Sequence, residues 1–177
     1  LYVHSQASQY EWLEVNHPQL FERVKKAIKA GNWEPVGSLW VEADCNLTGG
    51  ESLVRQFLYG RQYFREKLGV NCVDMFLPDV FGYCAALPQI LQKFISTQKL
   101  SWNSINKIPH NTFWWQGIDG SKIFSHFPPA DTYIADCSPK QIAQSVKNHR
   151  DHARSDQSLY LFGFGDGGGG PTEWHIE

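Results

Sequence analysis

Two aspartates, Asp79 and Asp166, follow largely apolar segments that are typical of short β-strands. Asp79 comes just after the segment 72–77, and Asp166 comes just after the segment 158–164. At the carboxyl end of a strand in an α/β protein, a carboxylate can act as a nucleophile, a metal ligand or a base. Two such carboxylates on neighbouring strand ends suit glycoside hydrolysis, in which one attacks or stabilises the anomeric carbon and the other transfers the proton.

Each aspartate also has an alternative role. Asp79 could cap a helix that begins near Tyr83. Asp166 precedes the glycine run Gly167–Gly170, and glycines let a ligand approach the backbone closely. The run lacks the Gly-Lys-Ser/Thr ending of a P-loop and the GxGxxG pattern of a dinucleotide site. A phosphate-binding loop and a plain flexible loop therefore remain the alternatives for Asp166.

The histidines form no recognisable metal-binding motif, because none of the seven makes an HExxH or HxH pair. His126 ends the predicted strand 122–127 and is the best histidine candidate for contact with a substrate, with a structural role as the alternative. His149 and His152 are near a helix end, where polar neighbours favour a solvated face over a metal site. Other rings near loop ends could stack on a sugar or pack in the core. These rings belong to Trp40, Trp102, Trp114, Trp115 and Tyr133.

Helices and strands are predicted to alternate along the chain, from apolar residues at helical spacing and from capping patterns at Thr48–Glu51 and Ser138–Gln141. Gly60 weakens the prediction at the middle of the second helix. The predicted strands are 33–41, 72–77, 122–127 and 158–164, and the predicted helices are 18–30, 48–69, 85–94 and 138–150; residues 102–120 are predicted to be loop-rich. This order predicts an α/β fold with a parallel sheet and crossover helices.

The composition excludes several classes of protein. With 177 residues, the chain is one domain or part of a larger one. Its net charge of -2 does not indicate a basic surface that would bind nucleic acid. No apolar run approaches the roughly 20 residues of a membrane span. The four cysteines show no CxxC spacing, and without an export signal we expect reduced thiols in the cytoplasm.

The sequence around the two aspartates resembles that of the cytosolic-type α-mannosidases of glycoside hydrolase family 38. The resemblance extends in one order up to Thr172. The matching stretches are Ser5-Gln6-Ala7, Tyr10-Glu11-Trp12, Pro35-Val36-Gly37, Trp40-Val41-Glu42, Gly50–Gln56, Leu77-Pro78-Asp79, Phe81-Gly82-Tyr83, Leu87–Ile90, Thr97–Asn103, Gly117–Ser121, His126–Pro129 and Phe162–Asp166 with the glycines that follow.

This resemblance implies a retaining exo-α-mannosidase acting on α-mannoside oligosaccharides. It also implies that the chain is part of a parallel seven-stranded β/α barrel, the family's N-terminal catalytic domain, which binds one divalent metal, usually Zn²⁺. By motif, Asp79 corresponds to the catalytic nucleophile, which also ligates the metal, and Asp166 matches the acid/base carboxylate. Asn103 and Tyr133 fall near positions that line the sugar site.

The sequence departs from the family pattern in its metal ligands. The family's His-x-Asp metal motif is absent from the chain, and so is the family's remaining metal-binding histidine. Of the family's ligands only Asp79 is present, and one carboxylate is a weak zinc site. We therefore expect residues 1–172 to form a partial catalytic α/β domain and residues 173–177 to be a divergent tail.

Two further expectations follow from a partial barrel. Its sheet edges are open, so the expected protein partners are a second copy of the chain or the missing parts of the same barrel. A catalytically inactive carbohydrate-binding or structural remnant without the metal site is the alternative function.

Overall fold

The computed structural model describes residues 1–91, 94–165 and 168–176 and has an α/β architecture. Within this part of the chain, the strands are β1 (Tyr2–His4), β2 (Trp33–Pro35), β3 (Asp74–Leu77), β4 (Phe94–Thr97), β5 (Thr112–Gln116) and β6 (Lys122–His126). The α-helices are α1 (Ala7–Asn16), α2 (Pro18–Lys29), α3 (Gly50–Tyr63), α4 (Leu87–Ile90), α5 (Pro139–Asn148) and α6 (Glu173–Ile176). A π-helical turn, Phe64–Leu68, continues α3, and a 3₁₀ turn, Lys99–Trp102, follows β4.

The strands form two small sheets. β1 and β2 pair in parallel, and the second sheet has the order β3–β4–β6–β5. In this sheet β3, β4 and β6 are parallel, whereas β5 is antiparallel to β6. The predicted α/β class is confirmed, but the predicted parallel seven-stranded barrel is not, because the described sheets are small, mixed and open.

Hydrogen bonds connect the two sheets between β2 and β3. The backbone N–H of Gly37 donates to Asp74 Oδ2 at 3.0 Å, and the Ser38 hydroxyl donates to the Asp74 carbonyl oxygen at 2.7 Å. The Cys72 thiol donates to the Pro35 carbonyl oxygen at 3.1 Å. These bonds hold the loop after β2 beside the start of β3, so that the segments leaving both strands run to the same edge of the molecule.

Several sequence predictions differ from the structure in the short strands. The predicted helix 85–94 is only the single turn α4, and β4 begins at Phe94. The predicted loop 102–120 contains β5, which forms a hairpin with β6. The predicted strand 158–164 forms isolated bridges at Phe162 and Phe164. Strands of four or five residues carry too little periodicity to be separated from turns and single helical turns.

The helix predictions are confirmed more closely. α2 begins at Pro18, and α5 begins after Ser138, whose side chain accepts a hydrogen bond from the Gln141 N–H. α3 continues through Gly60, where only glycine fits because a Cβ would lie 2.4 Å from the backbone carbon of Leu39. No described helix is long and apolar enough to cross a membrane.

Two apolar clusters form the core. One lies between α3 and the larger sheet and consists of Leu39, Ala43, Cys45, Leu53, Met75, Leu77, Val80, Leu87, Leu91, Ile95 and Ile123. The other joins α1, α2 and the π-helical turn and consists of Ala7, Tyr10, Phe21, Val24, Tyr63, Phe64 and Cys72. Because Leu77 and Ile95 belong to adjacent strands of the first cluster, that cluster fixes the ends of β3 and β4 relative to each other.

Candidate functional site

Asp79 lies two residues beyond the end of β3, and three groups hold it. Lys99 Nζ lies 3.1 Å from Asp79 Oδ1, and the Tyr133 hydroxyl donates to Asp79 Oδ2 at 2.9 Å. The Asp79 backbone N–H donates to Glu42 Oε1 at 3.3 Å. The side chain of Asp79 is 41% exposed, so the carboxylate is held in place and still faces solvent.

The parallel pairing of β3 and β4 brings Asp79 and Lys99 together. Leu77 and Thr97 are partners in register, and each charged residue lies two positions beyond its strand. The Tyr83 hydroxyl donates to the Leu77 carbonyl oxygen at 3.0 Å and also bonds to the Thr97 hydroxyl, which ties the two strand ends together. The site therefore depends on strand register as well as on the two side chains.

Tyr133 reaches the site from the loop after β6. The Gln98 side-chain amide donates to the Asp131 carbonyl oxygen at 2.9 Å, and the Ser101 hydroxyl donates to the Asp131 carboxylate. These two bonds anchor the loop to the 3₁₀ turn that carries Lys99. The same turn thus positions Lys99 directly and Tyr133 through Asp131.

The ammonium of Lys99 lies among three aromatic rings. Its Nζ is 3.8 Å from the ring centroid of Trp102, 4.9 Å from that of Tyr133 and 5.3 Å from that of Phe81. The Lys99 side chain is only 8% exposed. A cation removed from water needs compensation, and the Asp79 carboxylate together with the ring faces supplies it. We call Phe81, Trp102 and Tyr133 the aromatic cage.

Glu42 places a second carboxylate beside Asp79. Burial raises the pKa of Glu42, and the negative charge of Asp79 raises it further, although the Asp79 N–H that Glu42 accepts acts in the opposite direction. The ion pair with Lys99 belongs to Asp79. Of the two carboxylates, Asp79 pairs with that cation and is accessible to a ligand, whereas Glu42 holds the Asp79 backbone.

The outer face of the site is apolar and open. Phe81 and Trp102 are 66% and 57% exposed, and their rings meet edge to face with centroids 5.8 Å apart. Exposed aromatic faces beside a carboxylate suit a ligand with both apolar C–H faces and hydroxyl groups. The arrangement can thus hold a sugar ring next to an accessible carboxylate oxygen.

The other predicted site residues lie in different settings. Asn103 follows the 3₁₀ turn, is exposed, and its Oδ1 accepts hydrogen bonds from the backbone of Ile105 and Asn106. His126 is buried, with Nδ1 2.8 Å from the Thr112 hydroxyl and Nε2 accepting from the Leu159 N–H at 3.4 Å. The structure brings Tyr133 to Asp79, but the hydrogen bonds of His126 join β6 to Thr112 of β5 and to the backbone of Leu159. Substrate contact by His126 and Asn103 stays a prediction.

Asp166 lies outside the described residues, and its role stays a prediction. Its neighbour Gly165 is described: a Cβ there would lie 3.8 Å from Tyr133 Cε2 and 3.2 Å from Ile134 Cγ2. Tyr133 also bonds to Asp79. The chain immediately before Asp166 therefore passes the tyrosine that contacts Asp79.

The described residues do not form a complete metal site. Within residues 1–91, 94–165 and 168–176, no group of three or more His, Cys, Asp or Glu side chains is placed to hold a metal ion. Both carboxylate oxygens of Asp79 already have partners. The histidine pair differs from its prediction: His152 is exposed, but His149 is buried and its ring lies 5.0 Å from that of His152.

Sequence reasoning missed Lys99. A lysine directly after an apolar strand would have been a signal, but the residues of β4 were not predicted as a strand. Glu42 was noticeable as an acidic residue at the end of the predicted strand 33–41, although that strand ends at Pro35. Its position beside Asp79 depends on the packing of the loop after β2 against β3.

The sequence of the chain is similar to those of known proteins. Residues 1–177 match the family model described as the glycosyl hydrolases family 38 N-terminal domain. The chain is 51% identical to Alpha-mannosidase G of Dictyostelium discoideum over 181 residues and 47% identical to Alpha-mannosidase 2C1 of Homo sapiens over 182 residues. These alignments cover 99% and 100% of the chain. The chain spans 17% of the length of each relative.

Solved structures with a similar fold include two enzymes. An alpha-mannosidase from Enterococcus faecalis V583 matches with a TM-score of 0.62 and 24% identity, over 85% of this chain and 18% of that one. A 4-alpha-glucanotransferase from Thermococcus litoralis matches with a TM-score of 0.67 and 18% identity, over 90% of this chain and 26% of that one. At these identities the likeness concerns the fold alone.

Proposed function

The chain belongs to glycosyl hydrolase family 38, and on that premise we propose that it is the part of a retaining exo-α-mannosidase that carries the catalytic nucleophile, Asp79. The observation that carries the proposal is the setting of this carboxylate. It is accessible, held by Lys99 and Tyr133 through different oxygens, and bordered by exposed aromatic rings. The names of the relatives, which are α-mannosidases, support a terminal α-mannosyl group as substrate.

The proposed reaction is a double displacement. An Asp79 carboxylate oxygen bonds to the anomeric carbon while the bond from that carbon to the leaving-group oxygen breaks, and an acid carboxyl group protonates that oxygen. Water then attacks the anomeric carbon, the bond to Asp79 breaks, and the second carboxylate takes the proton of the water. Retention requires the two carboxyl groups to be about 5–5.5 Å apart.

We assign the acid/base role to Asp166. The assignment is supported by the family motif and by Gly165, which lies next to Tyr133 and hence near Asp79. Tyr133, Asn103 and His126 are the proposed substrate-binding residues. For Tyr133 the bond to Asp79 supports the assignment, because the same hydroxyl is within reach of a sugar bound at that carboxylate.

The Zn²⁺ that the family implies stays a prediction for this chain. The described residues supply Asp79 alone from the expected ligands, and they do not form a site that fits the metal. A bound zinc ion would need ligands beyond the described residues. A cytoplasmic location, and partners that complete the barrel, are likewise proposals.

The first test is hydrolysis of an aryl α-mannoside by the purified chain, with and without added zinc or cobalt. Asp79→Asn is the test variant, and Asp156→Asn, at an exposed aspartate, is its matched control. We expect turnover by the wild-type chain and by the control, and none by Asp79→Asn. ¹H NMR of the first-formed sugar should show the α-anomer, and a β-anomer would contradict retention.

A second measurement identifies the nucleophile directly. An activated fluorinated α-mannosyl fluoride forms a glycosyl ester that hydrolyses slowly, and peptide mass spectrometry then locates the labelled residue. Label on Asp79 supports the proposal, and label on another carboxylate overturns it. Mannoside binding without hydrolysis or label would favour the alternative of an inactive carbohydrate-binding module.

A further inference from the structure

We propose that Lys99 is the positioning residue of Asp79: its ammonium, enclosed by the aromatic cage, fixes which oxygen of the carboxylate faces the substrate. The proposal rests on the proposed function, because it concerns the same carboxylate. It adds a residue that the sequence did not single out and a physical reason for the aromatic rings around it.

The two members of the ion pair differ in exposure. Lys99 is 8% exposed, whereas Asp79 is 41% exposed. The cation therefore approaches Asp79 from inside the protein and leaves the outer side of the carboxylate open. An ammonium placed to bind a ligand from solvent would show the opposite arrangement.

The two carboxylate oxygens of Asp79 have different partners. Lys99 Nζ contacts Oδ1 at 3.1 Å, and the Tyr133 hydroxyl contacts Oδ2 at 2.9 Å. Rotation about the bond that joins the carboxyl group to its methylene breaks both contacts at once. The Asp79 N–H bond to Glu42 holds the backbone at the same place. Lys99 and Tyr133 together thus select one orientation of the carboxylate.

The aromatic cage holds Lys99 itself. The ring of Tyr133 lies 4.9 Å from Nζ while its hydroxyl bonds to Asp79, so one side chain restrains both members of the ion pair. Trp102, at 3.8 Å, restrains the ammonium from within the same 3₁₀ turn. The ammonium is a compact point charge and a guanidinium is a larger planar fork, so Arg cannot make the same contacts as Lys99 with Asp79 and the three rings.

The consequence for catalysis is alignment. Nucleophilic attack needs the reacting atoms at about 3–3.5 Å in a defined direction, and a displacement of about 1 Å costs about 100-fold in rate. Loss of Lys99 leaves the carboxylate attached to Tyr133 through one oxygen and free to turn. We therefore expect kcat to fall and KM to change little, because Lys99 does not face the ligand.

The kinetic test compares Lys99→Met, Lys99→Arg and the control Lys122→Met, whose exposed lysine begins β6. With an aryl α-mannoside, Lys99→Met should lower kcat about 100-fold with KM within about threefold of wild type. Lys99→Arg should recover only part of the loss, and Lys122→Met should match wild type. A wild-type kcat in Lys99→Met overturns the proposal.

Chemical rescue separates the charge from the packing. Lys99→Ala empties the cage, and ethylammonium should restore part of its kcat because aromatic rings bind ammonium ions. The neutral molecule 1-propanol should not restore it. Equal rescue by both molecules would show that Lys99 only fills space and would overturn the positioning role.

An activity-independent readout keeps this proposal distinct from the proposed function. In the NMR spectrum of the chain labelled with ¹³C at lysine Cε, Lys99→Met identifies the Lys99 signal, which the three rings should shift upfield. Asp79→Asn should move that signal, and Asp156→Asn should leave it in place. If the Lys99 signal has the same chemical shift in Asp79→Asn as in the wild type, the Lys99 proposal is wrong. Lack of turnover with the expected NMR shifts would count against the proposed function alone.

Discussion

Two aspartates of this protein, Asp79 and Asp151, each have several partners, but Asp151 is buried and Asp79 faces solvent. Asp151 is 2% exposed, and its Oδ2 accepts hydrogen bonds from the backbone N–H groups of Asn111 at 2.8 Å and Thr112 at 2.9 Å. Its Oδ1 lies 2.7 Å from His110 Nδ1. Asp79 is 41% exposed, and the partners of its carboxylate are side chains, Lys99 and Tyr133.

The two carboxylates differ in whether they hold the backbone in place or are themselves held in place. Asp151 binds the backbone at the start of β5 and so fixes the chain, which is a structural role. Its burial raises its pKa, but the hydrogen bonds from Thr112, His110 and Asn111 outweigh that effect and leave the pKa below its ordinary value. At Asp79 the surrounding groups orient the carboxylate and leave it open to a ligand. Accessibility, and not the number of partners, distinguishes the candidate catalytic group.

The largest expected effect is on catalysis at Asp79. Asp79→Asn removes the proposed nucleophile and should lower kcat on an aryl α-mannoside by about 10⁴-fold. Its free energy of unfolding should fall by about 1–2 kcal/mol, because the buried Lys99 ammonium loses its counter-charge, although the asparagine oxygen can still accept a hydrogen bond from it. Kinetics and urea unfolding on the same preparation measure both. A stability loss of about 3 kcal/mol would place Asp79 in the structural class of Asp151.

The next largest effect is on stability at Asp151. Asp151→Asn replaces one of the two buried acceptor oxygens by an NH₂ group, which cannot accept a hydrogen bond, and removes the charge that strengthens the remaining bonds; it should lower the free energy of unfolding by about 3 kcal/mol. Urea unfolding measures this loss, with Asp156→Asn as the exposed control expected within about 0.5 kcal/mol of wild type. Equal stability of both variants would show that the buried network contributes little.

A smaller effect concerns pH and His126, which belongs to the same buried region. Burial lowers the pKa of His126 and the neighbouring His149 lowers it further, against a smaller opposing effect of the Asp151 charge, so the ring binds a proton less readily in the folded protein than in the unfolded chain. The unfolded chain takes up a proton at its ordinary pKa of about 6.5. The contribution of this residue to stability is therefore constant above about pH 6.5 and is lost progressively as the pH falls below that value.

Urea unfolding at pH 7.5 and 5.5 tests this dependence. His126→Gln should lose less stability than wild type between the two pH values, whereas His17→Gln, at an exposed histidine, should behave like wild type. The same pH dependence in wild type and His126→Gln would exclude His126 as its source.

The smallest effect is expected for the stability of Lys99→Met. Removing one member of a buried ion pair is costly when the other charge stays buried, but Asp79, which remains, is 41% exposed, so water can solvate its carboxylate. We expect a change within about 1 kcal/mol, although the same variant should lose most of its kcat. A loss of several kcal/mol in urea unfolding would make Lys99 a structural residue and weaken the contrast with Asp151.

The local patterns of the chain were sufficient for part of this architecture. Pro18 and Ser138 begin helices because a proline fits the first helical turn and a serine side chain satisfies an unpaired N–H group. A short apolar segment that ends in Pro78 was sufficient to place Asp79 at the end of a strand. Each of these effects depends on neighbours a few residues away.

Such local patterns could not predict which strands pair with each other. β4 is four residues long and pairs on both sides, so no alternation of polar and apolar residues marks it. His126 shows the same limitation: its position at a strand end suggested a pocket, but the antiparallel register places it opposite Thr112, to which it bonds. Register decides which side chains meet, and register depends on residues far apart in the chain.

By itself, the sequence determined the family, the α/β class, the main helices and the aspartate at the end of β3. The tertiary structure decided what surrounds that aspartate. Lys99 arrives from the next parallel strand, Tyr133 from the loop after β6, at a separation of 54 residues, and Glu42 from the loop after β2. The physical reason is that hydrogen bonds and ring contacts act over a few ångströms in space, whereas sequence patterns report only on neighbours along the chain.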